Sequence, residues 1–149
     1  LPIQILRLPG IYGPGRSVFE NFLAGTTKMI DKPGQVFSRI HVDDIAGAVL
    51  FLINLYSQGK NPSMVNIADN LPTNNLEVIN FAAKLAKKSL PSKVPFEIAK
   101  KTMSPMALSF WQENRKVDNN LLCKKLGYSL IYPDYKSGLE NCFSKLKLN

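Results

Sequence analysis

The sequence is poor in metal-binding residues and in long apolar runs. Among its 149 residues it has two cysteines and one histidine. Cys123 and Cys142 lie in separate helical patterns and lack the spacing of a metal or redox motif, so we predict two free thiols in a reducing cytoplasm. His41 has no carboxylate cluster beside it, and this argues against a metal site. No apolar run approaches the roughly 20 residues of a membrane span, so we expect no membrane partner.

Complete catalytic motifs are also missing. There is no Gly-x-Ser-x-Gly elbow around any serine, and neither cysteine has a recognisable relation to the histidine. The spacing Gly10-x-x-Gly13-x-Gly15 reverses that of a dinucleotide fingerprint, and Pro14 lacks the amide hydrogen that a phosphate cradle needs. Tyr56 and Lys60 have Tyr-x-x-x-Lys spacing, which we interpret as coincidence at a helix end. We therefore predict no catalytic residue and no metal ligand in this chain.

Positive charge is in excess. The net charge is +8, from 19 Lys and Arg against 11 Asp and Glu, and by itself this permits a nucleotide, a nucleic acid or a membrane surface as partner. The lysines stand singly or in pairs on predicted helix faces and do not alternate with exposed aromatic residues. A single-strand binder needs such stacking platforms, so we expect no nucleic-acid partner.

The opening stretch is the best candidate for a binding site. Residues 3–8 are nearly all apolar, as in a parallel strand covered on both faces, and residues 9–16 form a loop rich in glycine and proline. In open α/β sheets, ligands bind outside the carboxyl ends of strands. A core strand at the first residues also suggests that the chain begins inside a domain.

A second strand is predicted over residues 35–42. Its alternation places Arg39, His41 and Asp43 on one face, and Asp43 or Asp44 would cap the following helix. Arg39 facing a crevice needs a carboxylate or phosphate, so either an internal salt bridge or a substrate anion is expected. His41 could act as a base beside Asp43 or make a hydrogen bond in the core or crevice.

The rest of the chain is predicted to be mostly helical. Ser17 can cap a short helix over 18–23, and the helix after Asp44 has apolar positions at the helical period: Ile45, Val49, Leu52, Ile53 and Tyr56. A strand over 64–68 precedes a helix that Asn74 and Glu77 open in a capping box. Further helices are expected within 96–103 and 106–111, over 121–126 with Gly127 as the stop, and over 135–146. We therefore divide the single partial domain at about residue 70. Residues 1–70 would hold the last strands and helices of a sheet, and residues 71–149 a mostly helical lobe.

Four motifs in order resemble one known family. They are Leu6-Arg7-Leu8-Pro9-Gly10-Ile11-Tyr12-Gly13-Pro14-Gly15, Arg39-Ile40-His41-Val42-Asp43-Asp44-Ile45-Ala46, Val65-Asn66-Ile67-Ala68, and Arg115-Lys116-Val117-Asp118-Asn119 with Leu126-Gly127-Tyr128. Together they resemble the C-terminal half of extended or atypical short-chain dehydrogenases/reductases, in the NAD-dependent epimerase/dehydratase group. The resemblance spans nearly the whole chain.

The resemblance implies an α/β, Rossmann-type fold with a small helical substrate lobe and without the N-terminal cofactor half. It also implies two sets of site residues. The cofactor-binding set, against the nicotinamide, is Leu8, Pro9, Gly10 and Ile11. The substrate-binding set is Tyr12, Arg16, Arg39 and His41.

This chain departs from the family pattern at two substrate contacts. Gly10 stands where nucleotide-sugar epimerases have an asparagine, and Phe37 stands where they have a phosphate-binding arginine. Arg39 is displaced by two residues but lies on the same predicted strand face as Phe37. A nucleotide-sugar substrate is therefore not implied.

We expect the substrate-side portion of an NAD(P)-dependent epimerase/dehydratase or reductase, inactive as this chain alone. NAD or NADP would be bound by the full-length parent and not by this chain. The alternative is a non-catalytic remnant that serves as a binding module and self-associates through the sheet edge at residues 3–8.

Overall fold

The computed structural model describes residues 3–146; Leu1, Pro2 and residues 147–149 lie outside the described part. Six short strands and six α-helices alternate along it, with one 3₁₀ turn and one π-helical turn. The strands are β1 (Ile5–Arg7), β2 (Gly10–Tyr12), β3 (Met29–Asp31), β4 (Arg39–His41), β5 (Met64–Asn66) and β6 (Lys93–Pro95). The helices are α1 (Val18–Leu23), α2 (Val42–Ser57), α3 (Asn75–Ala86), α4 (Phe96–Ala99), α5 (Pro105–Gln112) and α6 (Tyr135–Lys145), with the 3₁₀ turn at Lys100–Thr102 and the π-helical turn at Leu121–Lys125.

The strands form three parallel pairs. β1 pairs with β5, β2 with β4, and β3 with β6. In the second pair Gly10 lies opposite Arg39 and Tyr12 opposite His41. The β3–β6 pair joins residues 29–31 to residues 93–95, so the two segments that we divided at residue 70 are hydrogen-bonded to each other.

Two apolar clusters hold these elements together. The first packs α2 on the strands and on the π-helical turn, with Ile40, Leu52, Val65 and Leu122 nearly or fully buried. The second joins β2 to three helices; its members include Tyr12, Phe19 of α1, Val78 and Ala82 of α3, and Leu139 of α6. Burial of such side chains contributes about 1.5–3 kcal/mol each. The second cluster forms the floor beneath the site described below.

Several predicted boundaries are confirmed. Ser17 caps α1 in a capping box with Glu20, and the side chain of Asn74 accepts a hydrogen bond from the amide of Glu77 at the start of α3. Gly127 has a φ of 91°, as a residue that ends a helical turn often does. The predicted strands over 3–8 and 64–68 are present as the shorter β1 and β5.

Other expectations are wrong. The loop after β1 contains a strand, β2, because its backbone pairs with β4. His41, and not Asp43 or Asp44, caps α2, since its side chain accepts a hydrogen bond from the amide of Asp43. Asp44 is instead fully buried.

Two apolar surfaces predicted to be covered are exposed among residues 3–146. In β1, Ile5 is 50% exposed, and in α2, Ile53 and Tyr56 are also about half exposed. The apolar residues of α2 run all round the helix, so the contacts of one face with the strands leave the other face uncovered.

Within the described residues no helix is long and apolar enough to cross a membrane. The same residues contain no group of three or more histidine, cysteine or acidic side chains that could hold a metal ion.

Candidate functional site

A cavity of about 650 Å³ opens beside the carboxyl end of β2 and the first residue of β4. Its walls come from β2, the turn before α1, α1 itself, the segment before β3, and the helices α3 and α6. The residues lining it include Ile11, Tyr12, Arg16, Glu20, Thr27, Lys28, Arg39, Asn75, Val78, Tyr135 and Leu139. A volume of this size suits a small-molecule ligand.

A tight turn brings Arg16 to the mouth of the cavity. Gly13 and Arg16 exchange two backbone hydrogen bonds, at 3.1 and 3.0 Å, and Gly15 between them has a φ of 80°. This left-handed conformation favours glycine, so the turn depends on that residue. The turn leads into Ser17, which begins α1.

Among the described residues that line the cavity, the acidic side chain is Glu20, which takes part in the capping box of α1. Glu20 accepts hydrogen bonds from the backbone amide and the hydroxyl of Ser17, at 2.5 and 2.6 Å. Burial alone would raise the pKa of the Glu20 carboxyl, but the hydrogen bonds from Ser17 outweigh it and the pKa lies below its usual range. Glu20 is therefore ionised and engaged in the cap, beside the cations of Arg16, Lys28 and Arg39.

Arg39 lines the inner wall of the cavity. Its Nη1 donates hydrogen bonds to the carbonyl oxygens of Phe37 and Thr73, at 3.0 and 2.9 Å. Burial lowers the pKa of the guanidinium, and the charge of Asp69 raises it in part. Arginine nevertheless stays protonated in proteins, so Arg39 presents a positive charge to the cavity.

Tyr12 also lines the cavity, but its hydroxyl is poorly suited to acid chemistry. The residue is 8% exposed, and its hydroxyl donates to the backbone oxygen of Asp134 at 3.5 Å. Burial, together with the negative charge of Asp69, raises the pKa of Tyr12 far above the usual range of tyrosine. Tyr12 thus lines the cavity with an uncharged side chain.

His41 does not line the cavity. It is fully buried, between the ring of Tyr12 at 5.3 Å and the ring of Tyr132 at 4.1 Å between centroids. Its Nδ1 accepts a hydrogen bond from the amide of Asp43, and burial lowers its pKa. This geometry favours the core hydrogen bond over both the predicted substrate contact and the role of a base.

The residues predicted to bind the cofactor lie on two different surfaces. Ile11 lines the cavity, whereas Leu8 and Gly10 are exposed at the carboxyl end of β1, and Pro9 between them is half-buried. Gly10 is exposed, and a β-carbon there would meet the carbonyl oxygen of Ser38 at 3.4 Å, an ordinary contact. The structure thus places Ile11, Tyr12, Arg16 and Arg39 around one cavity and the remaining three cofactor candidates next to it in the chain.

Sequence reasoning missed Asp69, which lies beside the site. It is 2% exposed, and its backbone amide donates to the carbonyl oxygen of Arg39 at 2.8 Å. Burial raises the pKa of its carboxyl to about 7, against the lowering effects of the Leu71 amide and of Arg39. Its position directly after a buried parallel strand was the available signal, since ligand sites in α/β sheets lie at such ends.

Comparisons with family models and with curated proteins find no match for this sequence. Solved structures do match. A functionally unknown conserved protein from Silicibacter pomeroyi is similar with a TM-score of 0.83 and 41% identity, over 97% of this chain and 48% of that protein.

Two further solved structures are similar to this chain. A putative NAD-dependent epimerase/dehydratase from Methylobacillus flagellatus is 26% identical, with a TM-score of 0.67, over 95% of this chain and 46% of that one. The human epimerase family protein SDR39U1, solved with NADPH, is 18% identical with a TM-score of 0.76, over 95% and 48%. At 18% identity this last match shows the fold alone.

This chain spans about half the length of each of these structures. The parallel strand pairs, the cavity at the carboxyl end of β2 and the matches over nearly all of this chain agree with one another. These matches confirm the resemblance to the C-terminal half of NAD-dependent epimerase/dehydratase proteins among the extended short-chain dehydrogenases/reductases, whose Rossmann-type α/β fold this chain shares.

Proposed function

We propose that this chain is the substrate-side portion of an NAD(P)-dependent epimerase/dehydratase or reductase. The observation that carries the proposal is that Ile11, Arg16 and Arg39 line the same cavity. Ile11 follows the other predicted nicotinamide contacts in the chain. A cavity in this place would hold the substrate against the cofactor. The structure of SDR39U1 with NADPH supports a nicotinamide cofactor for this fold.

The residues after β1 fit the face of a nicotinamide ring. Leu8 is 40% exposed and apolar, and Gly10 is exposed and has no side chain. When bound, the nicotinamide would supply or accept a hydride. The role of Leu8, Pro9, Gly10 and Ile11 would be to hold the ring beside the cavity and to exclude water from its face.

Substrate binding would fall to the cations of the cavity. Among the described residues Arg39 donates hydrogen bonds through Nη1 alone, to backbone oxygens, and Arg16 and Lys28 line the same cavity. An oxyanionic group of the substrate would pair with them. The chain alone would not catalyse, because Tyr56 and Lys60 lie at and just beyond the exposed end of α2 and do not line the cavity.

Cofactor binding tests the proposal. The complete reading frame that contains this chain should be expressed and titrated with NADH and NADPH, with nicotinamide fluorescence as readout. We expect micromolar binding of one of them and at least a tenfold weakening in Ile11→Asp. The exposed Ile131→Asp is the matched control and should bind normally. Absence of binding to the complete protein would contradict the proposal.

The isolated chain provides the second arm. Calorimetric titration of residues 1–149 with NAD or NADP should show no binding tighter than millimolar, because the phosphate-binding loop is not in this sequence. Micromolar affinity would contradict the proposed need for a cofactor half. The proposal also includes a cytoplasmic location, with which the free thiols of Cys123 and Cys142 agree.

A second candidate function is a binding module that self-associates through β1. The observation that favours it is the exposed apolar surface of this strand, on which Ile3 is 73% and Ile5 50% exposed. Strands with such edges pair with other chains. Sedimentation at micromolar concentration should then show a dimer that Ile5→Lys dissociates, whereas a monomer would exclude this candidate.

A further inference from the structure

Asp69 and Arg39 lie side by side but face different environments. The Arg39 guanidinium lines the cavity, whereas Asp69 is buried behind it and is absent from the lining. The backbone hydrogen bond from Asp69 to Arg39 ties the end of β5 to β4. Asp69 therefore acts on the cavity through Arg39 and not by touching a ligand.

The carboxyl group of Asp69 is incompletely satisfied. Its Oδ1 accepts a hydrogen bond from the Leu71 amide at 3.1 Å, while Oδ2 is buried without a partner in the described part of the chain. No ion pair of 4.0 Å or less joins it to Arg39 there. A buried carboxylate in this position depends on the nearby cation for its stability. The negative charge of Asp69 therefore weakens the attraction between the Arg39 guanidinium and an anion in the cavity.

We propose that Asp69 is a positioning residue that sets how strongly Arg39 attracts an oxyanion in the cavity. Ionised Asp69 offsets part of the charge of Arg39, so an oxyanion binds weakly. Protonated Asp69 leaves that charge uncompensated, and the oxyanion binds more tightly. The inference rests on the proposed function in one respect, namely that the oxyanion is a phosphate or carboxylate of the substrate.

The groups around Asp69 place the transition near neutral pH. Burial raises the pKa of its carboxyl to about 7, Arg39 lowers it, and the charges of Asp134 and Asp44 raise it. The other titratable groups acting on Arg39 are Tyr12 and Tyr135; burial raises the pKa of each, so both stay neutral. Oxyanion affinity should therefore fall as the pH rises through about 7.

Sulfate is a suitable probe because it remains a dianion over this pH range. Calorimetric titration of the chain with sodium sulfate at pH 6 and pH 8 and constant ionic strength should show about a tenfold weaker affinity at pH 8. Asp69→Asn should bind at both pH values as the unmodified chain does at pH 6. Arg39→Gln should lose binding, and the exposed Asp43→Asn should keep the normal pH profile.

A parallel titration with acetate distinguishes the two sources of the oxyanion. Tighter acetate binding would indicate a carboxylate, and tighter sulfate binding would indicate a phosphate. Either result agrees with the proposal if the pH profile depends on Asp69. An unchanged profile in Asp69→Asn, or no binding of either anion at pH 6, would overturn it.

A measurement without mutation covers the case in which Asp69→Asn does not fold. Carboxyl ¹³C NMR follows the titration of Asp69 in the unmodified chain, and by reciprocity bound sulfate must raise its pKa. A titration curve unmoved by saturating sulfate would refute the coupling. None of these experiments uses a nicotinamide cofactor, so their failure is distinguishable from failure of the proposed function.

Discussion

The carboxylate of Asp44, at the start of α2, accepts a hydrogen bond from the backbone amide of Tyr132 at 2.9 Å, 88 residues away in the chain. The same carboxylate accepts from the amide of Ile131 at 2.7 Å and from the hydroxyl of Tyr128 at 3.2 Å. These bonds fasten the arm that precedes α6 to the start of α2. Because α6 forms one wall of the cavity, Asp44 determines where that wall stands.

Replacing Asp44 with alanine should therefore destabilise the chain severely. The substitution leaves two backbone amides without an acceptor, at roughly 1–3 kcal/mol each, so we expect a loss of about 3 kcal/mol in the free energy of unfolding. Urea unfolding followed by circular dichroism measures it. Asp43→Ala is the matched control, since Asp43 is exposed, and should cost under about 1 kcal/mol. Equal losses in the two variants would contradict the role of Asp44.

Gly138 of α6 is required by its contact with Tyr12. A β-carbon at this position would lie 2.0 Å from the Tyr12 hydroxyl oxygen, so Gly138→Ala must displace the helix or the ring. We expect a loss of about 1–3 kcal/mol in the free energy of unfolding, despite the better helix propensity of alanine.

The control for this contact is Glu140→Ala on the exposed side of the same helix, which should be nearly neutral. Adding Tyr12→Phe to Gly138→Ala removes the nearest atom and should recover part of the loss. Thermal denaturation of the two single variants and the double variant measures this. A double variant with the full sum of both losses would argue against a steric cause.

Asp69 should make the stability of the chain depend on pH. Its pKa is about 7 in the folded chain and near 3.8 in the unfolded chain, so the folded state binds more protons between these values. Stability then falls as the pH rises from about 4 to about 7 and changes little above. The total is on the order of 4 kcal/mol. Asp69→Asn should remove this dependence, and urea unfolding from pH 4 to pH 8 compares it with the unmodified chain; superimposable profiles would refute the assignment.

The capping box of α1 should support the cavity wall. Ser17→Ala removes the hydroxyl that accepts from the amide of Phe19 and donates to Glu20, and we expect a loss of about 1 kcal/mol in the free energy of unfolding. Ser109→Ala on the exposed face of α5 should be neutral. Chemical denaturation measures both variants, and an equally stable Ser17→Ala would show that the cap contributes nothing.

Much of the secondary structure follows from local signals. Ser17 with Glu20, Asn74 with Glu77 and Gly127 mark helix ends through contacts within a few residues, so the sequence alone predicts them. The order of motifs around β1, β4 and β5 likewise predicts the family. Such signals can be predicted from the sequence because each depends on residues close together in the chain.

The candidate site is only partly predictable for the same reason. Alternation identified Arg39 as a residue facing a crevice, and the family resemblance identified Ile11, Tyr12 and Arg16. Nothing local indicated that His41 would be enclosed by two tyrosines, one of them from an arm 91 positions later. Nor did any local pattern distinguish Asp69 from an ordinary turn aspartate.

The sequence by itself determined the parallel α/β class and several helix ends, because these depend on periodicity and on caps, and its short motifs carried the family resemblance. Only the tertiary structure decided which polar side chains lose water. Asp44 gained three donors from the distant arm, and Asp69 came to lie beside the charge of Arg39. Burial, and the partners that compensate it, come from residues far apart in the chain, and they make one aspartate an anchor and the other a group that titrates near neutral pH.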